Sequence, residues 1–224
     1  MTSKLLRTGI AAAALLCAGA AAQAADLPQP SYKAPAYSSP AYANWTGFYI
    51  GVNAGYGFGK SNWDIPALSP SPKGFVGGGT IGYNLQTGTW LWGLEADFDM
   101  STMKGSADCA PGTCETKNSW LATGRGRIGY AGWNNWLPYI TAGAAMGDIK
   151  ATSPVGNASK TKLGWTAGLG LEYAFMSNWS AKIEYLYVDL GKFDCGIACG
   201  AAVGVTDNVS FKANLVRAGL NYRF

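Results

Sequence analysis

Apolar residues recur at every second position in the stretch "WTGFYIGVNAGYGFG", residues 45 to 59. Phe48, Ile50, Val52, Ala54, Tyr56 and Phe58 make one series, and Tyr49, Gly51, Asn53, Gly55, Gly57 and Gly59 make the other. A period of two is the signature of a β-strand whose faces meet different surroundings. The period returns along the chain. Phe75, Ile81, Tyr83 and Leu85 share one register in 74–86, and Trp90, Trp92, Leu94, Ala96, Phe98 and Met100 oppose Gly93, Glu95, Asp97 and Asp99 in 90–100. In 119–130, Trp120, Ala122, Ile128 and Tyr130 oppose Thr123, Arg125 and Arg127. Residues 138–148 alternate less clearly, with Ile140, Ala142, Ala144 and Met146 assigned to the apolar face. Leu163, Trp165, Ala167, Leu169, Leu171 and Tyr173 oppose Glu172 and several glycines in 162–175. Trp179, Ala181, Ile183, Tyr185 and Tyr187 oppose Lys182 and Glu184 in 179–189. The last segment, 209–224, sets Val216, Ala218, Leu220, Tyr222 and Phe224 against Arg217, Gly219, Asn221 and Arg223. These patterns predict eight strands.

The links between them alternate in length. "QTGT", "AGWNNW" and "MSN" are tight, whereas the links around 60–73, 101–117, 149–161 and 190–208 are long. Short and long connections in alternation predict an all-β fold: an eight-stranded antiparallel up-and-down transmembrane β-barrel with tight periplasmic turns and four external loops. A soluble barrel would turn its apolar series inward. Here glycines and charges share one series, and the large apolar residues share the other, so the oily series faces lipid. A bore of eight strands is only wide enough for side chains to fill it, and inward glycines leave room for long charged neighbours. Closure is required, because backbone groups in hydrocarbon must all be paired.

The ends of the chain place this barrel outside the cytoplasm. Lys4 and Arg7 precede an apolar stretch from Gly9 to Ala22, and Ala22-Gln23-Ala24 is an A-x-A cleavage site, so residues 1–24 read as a signal peptide. Cys17 raises a lipoprotein reading, which Leu16 immediately before it opposes. Residues 25–44 hold four prolines among Tyr, Ser and Ala. They read as an extended periplasmic tether, either a spacer or a contact to peptidoglycan. Residues 45–224 are left for the barrel. Beyond the signal peptide no apolar run reaches the ~20 residues of a membrane helix.

Charge and composition narrow the chemistry. Loss of Lys4 and Arg7 takes the formal charge from +4 to +2, too little to suggest a nucleic-acid partner. There is no histidine, the base used by most esterase-like barrels, and Asp97 and Asp99 lie beside arginines that favour their charged forms. The chain therefore reads as no enzyme and as needing no cofactor. "GRGRIG", 124–129, satisfies G-x-G-x-x-G but lies inside a strand, where no helix N-terminus follows to receive a phosphate. Cys109 and Cys114 in "CAPGTC" and Cys195 and Cys199 in "CGIAC" read as two local disulfides. A four-thiolate metal site is the other reading. Glu95, Asp97, Arg125, Arg127, Glu172, Lys182, Glu184 and Arg217 all point toward one lumen and are expected to pair there, since an unpaired charge in a narrow bore is heavily penalised. Such a set is either a structural plug or a switchable gate for ions.

"NWTGFYIGVNAGYGFG" after a Pro-rich tether, "NWSAKIEYLYVDLG" at 178–191 and the terminal "AGLNYRF" resemble the small porin-like outer-membrane proteins of alphaproteobacteria. That group includes major surface antigens and some proteins described as hemin-binding. The resemblance implies an OmpA-type barrel in the outer membrane. Phe224, Tyr222 and Leu220 also resemble the terminal signal read by the barrel assembly machinery. The partners expected are thus outer-membrane lipid, that machinery, and peptidoglycan or an external ligand. Three functions remain open: a structural surface barrel with a charge-plugged lumen, a small-solute porin, or a receptor for a ligand such as hemin. Without histidine, hemin would stack on loop aromatics such as Trp63 rather than be ligated.

Overall fold

The computed structural model describes residues 43–63, 70–109, 112–153, 156–194 and 208–224. The stretches read as signal peptide and most of the tether lie outside them. Nine strands follow one another: β1 (Gly47–Trp63), β2 (Lys73–Thr87), β3 (Trp90–Ser101), β4 (Lys104–Cys109), β5 (Gly112–Tyr130), β6 (Trp136–Ser153), β7 (Gly156–Ala174), β8 (Trp179–Asp194) and β9 (Asn208–Arg223). Every neighbouring pair is antiparallel, and β1 pairs with both β2 and β9, so the sheet closes on itself. Closure removes every free edge within the bilayer.

The eight walls expected are present, with one extra strand among them. β4 continues β3 along the same neighbour, β5, after a break at Thr102–Met103. At the break Thr102 turns to the opposite neighbour: its N–H donates to the Phe75 carbonyl at 2.9 Å, and its Oγ1 accepts from the Phe75 N–H at 3.0 Å. The barrel therefore has eight walls, one of them interrupted.

The long links also differ from expectation. The β6–β7 ladder runs without a shift from Trp136↔Tyr173 to Ser153↔Gly156, and the β4–β5 ladder reaches Cys109↔Gly112. Most of 101–117 and 149–161 is thus paired hairpin rather than loop. The apolar alternation stops at the top of the lipid band, so the sequence pattern ends before the hydrogen-bonded ladder does. At the opposite end the turns are tight. Thr87↔Trp90 encloses Gly88–Thr89, where Gly88 takes φ 62°, a left-handed conformation cheap only for glycine.

Leu94, Phe75 and Met100 are more than 70% exposed, and the whole apolar series of each wall lies on the outside. That surface carries two aromatic belts. Trp90–Tyr130, Trp136–Tyr173 and Trp179–Tyr222 pack at the short-turn end, and Tyr56–Phe75, Phe98–Trp120 and Trp165–Tyr187 at the other. From Trp90 to Met100, at about 3.4 Å per residue on strands tilted about 40°, the belts span about 25 Å, the height of an outer-membrane apolar band.

Inside, the filling is layered, which alternation alone did not foresee. Trp45, Leu91, Ala131, Leu137 and Ala174 form an apolar cluster at the short-turn end. A larger apolar cluster, including Met103, Leu121, Ile149, Leu186, Leu190, Phe211 and Leu215, fills the other end. Charged side chains occupy the space between.

Candidate functional site: the charged bore

Strand register determines which charges meet. Glu95 on β3 lies opposite Arg125 on β5, and Glu184 on β8 lies opposite Arg217 on β9. Arg125 bonds Glu95, reaches Asp97 at 2.6 Å, and crosses the bore to Glu184 at 2.8 Å. Arg217 contacts Asp99 and Glu184, each at 2.5 Å, and Asp97 at 3.4 Å. Arg127 holds Glu172 at 3.0 Å and Glu95 at 3.7 Å, and its Nε donates to Asn84 at 2.9 Å. Lys182 donates to Glu95 at 2.8 Å. All nine charged side chains are at most 3% exposed.

Neutral groups complete the network. Tyr49 donates its hydroxyl to Glu95 at 2.7 Å and Tyr139 donates to Glu184 at 3.1 Å. The Arg127 guanidinium lies 4.7 Å from the Tyr49 ring centre and 5.2 Å from that of Tyr139, within cation–π range. Thr80 and Thr123 donate to the two oxygens of Asp97 at 2.7 and 2.8 Å. Ser180 and Asn221 donate to Glu172 at 2.5 and 2.8 Å. A carboxylate with several donors on fixed strands costs little reorganisation to keep charged.

Glycines on the inner wall make this packing possible. Gly82 lies opposite Tyr49 and Gly170 opposite Tyr139, and a Cβ at either would run into the tyrosine ring. A Cβ at Gly93 would meet the Arg127 side chain. The glycine-rich series of the sequence is thus the bed on which the longest inward side chains lie.

All eight residues assigned to the lumen, Glu95, Asp97, Arg125, Arg127, Glu172, Lys182, Glu184 and Arg217, are placed in this one network. Asp99, Tyr49 and Tyr139 also belong to it. Asp99 shares the inward parity of Glu95 and Asp97, and that parity was the signal available for it. With Asp99 included, five carboxylates (Glu95, Asp97, Asp99, Glu172, Glu184) face four cations (Arg125, Arg127, Lys182, Arg217), a formal excess of one negative charge. "GRGRIG" is mid-strand, and its two arginines face the bore.

The other assigned positions lie apart. Leu220 and Phe224 are exposed on the outer face, where the Tyr222 and Phe224 rings pack edge to face at 5.2 Å. The Phe224 N–H donates to the Phe48 carbonyl at 3.0 Å, joining the end of the chain to the first strand. Cys114 is buried, on an inward position of β5 facing Ala107. Cys195 and Cys199 lie outside the described residues, as does the side chain of Cys109.

Comparison with known proteins places the fold among relatives. Residues 10–224 match the family model of the outer membrane protein beta-barrel domain. The 31 kDa outer-membrane immunogenic protein of Brucella melitensis is 38% identical, over 91% of this chain and 93% of that protein. A 22 kDa outer membrane protein of Rhizobium leguminosarum is 33% identical, over 81% of this chain and 79% of its own length. Among solved structures, OprG of Pseudomonas aeruginosa superposes with a TM-score of 0.52 at 16% identity, covering 80% of this chain and 97% of that one. Neisserial surface protein A does so at 0.50 and 17%, covering 80% and 98%. At such identities the likeness is one of fold.

Proposed function

The chain belongs to the outer membrane protein beta-barrel domain family, and we propose that it is a structural and surface-presenting member whose bore is closed to solutes. One observation carries the reading: an ionic layer, in which each charged side chain has at least one partner of opposite sign and is at most 3% exposed, lies between two apolar layers that fill the ends of the bore. An ion crossing the barrel would have to part all three. At the short-turn end Trp45 is fully buried; its backbone N–H donates to Gln86 Oε1 at 2.9 Å, and the Arg223 guanidinium lies 5.3 Å from its ring. The names of the Brucella relatives, immunogenic outer-membrane proteins, support a surface-exposed role.

In this reading the paired hairpins at the far end are what the cell exposes, and Cys109–Cys114 and Cys195–Cys199 are two local disulfides within those exposed ends. Leu220, Tyr222 and Phe224 form the strand read during assembly, and residues 25–44 tether the barrel on the periplasmic side. The deciding measurement is single-channel recording on the purified protein in planar bilayers. The expected result is no steady conductance. A large, stable open level would overturn the closed bore and put the porin reading in its place.

A further inference from the structure

Above the upper aromatic belt, the outer face changes from apolar to cationic on six walls. Lys212 of β9 lies opposite Lys60 of β1, and Lys104 of β4 lies opposite both Lys73 of β2 and Lys117 of β5. Lys117 in turn lies opposite Lys150 of β6. The run is unbroken except for one diagonal step: Lys73 faces Phe58, two residues below Lys60. Adjacent strands are about 4.8 Å apart, and like charges directly opposite one another on a sheet destabilise it. Six in a row, held by paired backbone, call for counter-anions.

The described residues supply few. Asp189 lies 3.6 Å from Lys212 and Asp148 lies 3.8 Å from Lys150, at the two ends of the row. Among the described residues, Lys60, Lys73, Lys104 and Lys117 have no carboxylate within ion-pairing distance. The vertical position identifies the missing partner. Phe58 and Phe75 lie two residues below Lys60 and Lys73 on the same face, so the ammonium groups stand at headgroup height, just past the hydrocarbon edge. A ligand reaching all of them must lie in the plane of the membrane.

We propose that this lysine row seats the phosphate groups of phosphorylated lipids in the outer leaflet, their acyl chains running down over the upper aromatic belt. Each phosphate would be shared by ammonium groups of neighbouring strands, so a lipid carrying two phosphates would bridge adjacent walls. The inference rests on the outer-membrane orientation, with tight turns in the periplasm, and is independent of whether the bore conducts.

The test is native mass spectrometry of the processed protein purified from membranes. It is exchanged into micelles containing equal amounts of bisphosphorylated lipid A and the same glycolipid without phosphates. The expected result is several-fold preferential retention of the phosphorylated form. Replacing Lys73, Lys104, Lys117 and Lys150 by Gln should remove that preference; a single lysine beside an anionic lipid layer is worth about five-fold. The substitutions lie on paired strands, at side chains that are exposed (Lys73, Lys104, Lys150) or half-buried (Lys117), and heat-modified gel mobility checks that the variant is folded. Equal retention of both lipids by the unaltered protein would overturn the proposal. So would a preference that survives the four substitutions in folded protein. Displacement of the retained lipid by millimolar inorganic phosphate would show a site for the free ion and would likewise overturn it.

Discussion

Lys182 lies directly opposite Glu172 on the β7–β8 ladder, yet its ammonium crosses the bore to Glu95 on β3, 2.8 Å away. Glu172 is bonded instead by Arg127, Ser180 and Asn221. The coupling therefore runs through the lumen rather than along the sheet. In a double-mutant cycle in detergent, Lys182→Met with Glu95→Gln should show an interaction of about 1–3 kcal/mol. The same cycle with Glu172→Gln should stay below about 0.5 kcal/mol. Equal coupling to both carboxylates would contradict the cross-bore pairing.

Removing Arg125 and Arg127 together takes one or more ion pairs from Glu95, Asp97 and Glu184, which keep Lys182 or Arg217, and takes the Arg127 pair from Glu172. Breaking a buried pair by deleting one partner costs about 3–5 kcal/mol, less where water enters. The Arg125→Ala/Arg127→Ala variant should unfold at lower denaturant and show channel openings that favour cations, since the remaining bore is acidic. Adding Glu95→Gln and Asp97→Asn should recover part of the stability. Unchanged conductance and midpoint would show that these charges do not close the bore.

The inward charges could be grouped from the sequence because parity along a strand is fixed once one residue is placed. The layers above them could not. On β8 both series are apolar near the top: Tyr185 and Tyr187 outside, Leu186, Val188 and Leu190 inside. With the contrast gone, the pattern predicts an end at 189, although the strand runs to Asp194. β4 was hidden for a related reason. Its outward residues Lys104, Ser106 and Asp108 are polar and exposed, and its inward Gly105 adds little apolar signal. Thr102 leaves the register for Phe75 through one backbone hydrogen bond and its own hydroxyl, a contact that alternation along the strand does not announce.

Glycine positions separate into those that make space and those that do not. Gly170→Ala would press a methyl group into the Tyr139 ring, whereas Gly124, with nothing within 4 Å of a Cβ, faces outward. Gly170→Ala should cost about 1–3 kcal/mol by overpacking, and Gly124→Ala should be close to neutral. Unfolding midpoints in detergent decide this; equal effects would mean the wall yields to the added methyl.

Trp45 seals the short-turn end from outside any strand, fully buried among Leu91, Leu137 and Ala174. Trp45→Ala should cost about 3–5 kcal/mol and raise the frequency of brief openings in bilayer recordings. A variant as stable and silent as the parent would show that this layer is not a seal.

Peptide mapping without reduction should find Cys109 joined to Cys114 and Cys195 to Cys199. Each closes a small loop, so reduction should lower stability only modestly. Cross-linked peptides joining the two pairs, or bound zinc in stoichiometric amount, would contradict this arrangement.

The lysines around the upper rim also act on the protein's depth. In the proposed orientation each hairpin that carries one has passed it across the hydrocarbon. Once across, return is opposed: a lysine on the lipid face costs about 2–4 kcal/mol at the bilayer midplane and about 0–1 near its surface. If the closed barrel sank by one residue pair, Lys60, Lys73, Lys104, Lys117, Lys150 and Lys212 would descend together, and so would their costs. In the proposed orientation, with the tight turns in the periplasm, the rim is a flange that opposes slipping back toward that side.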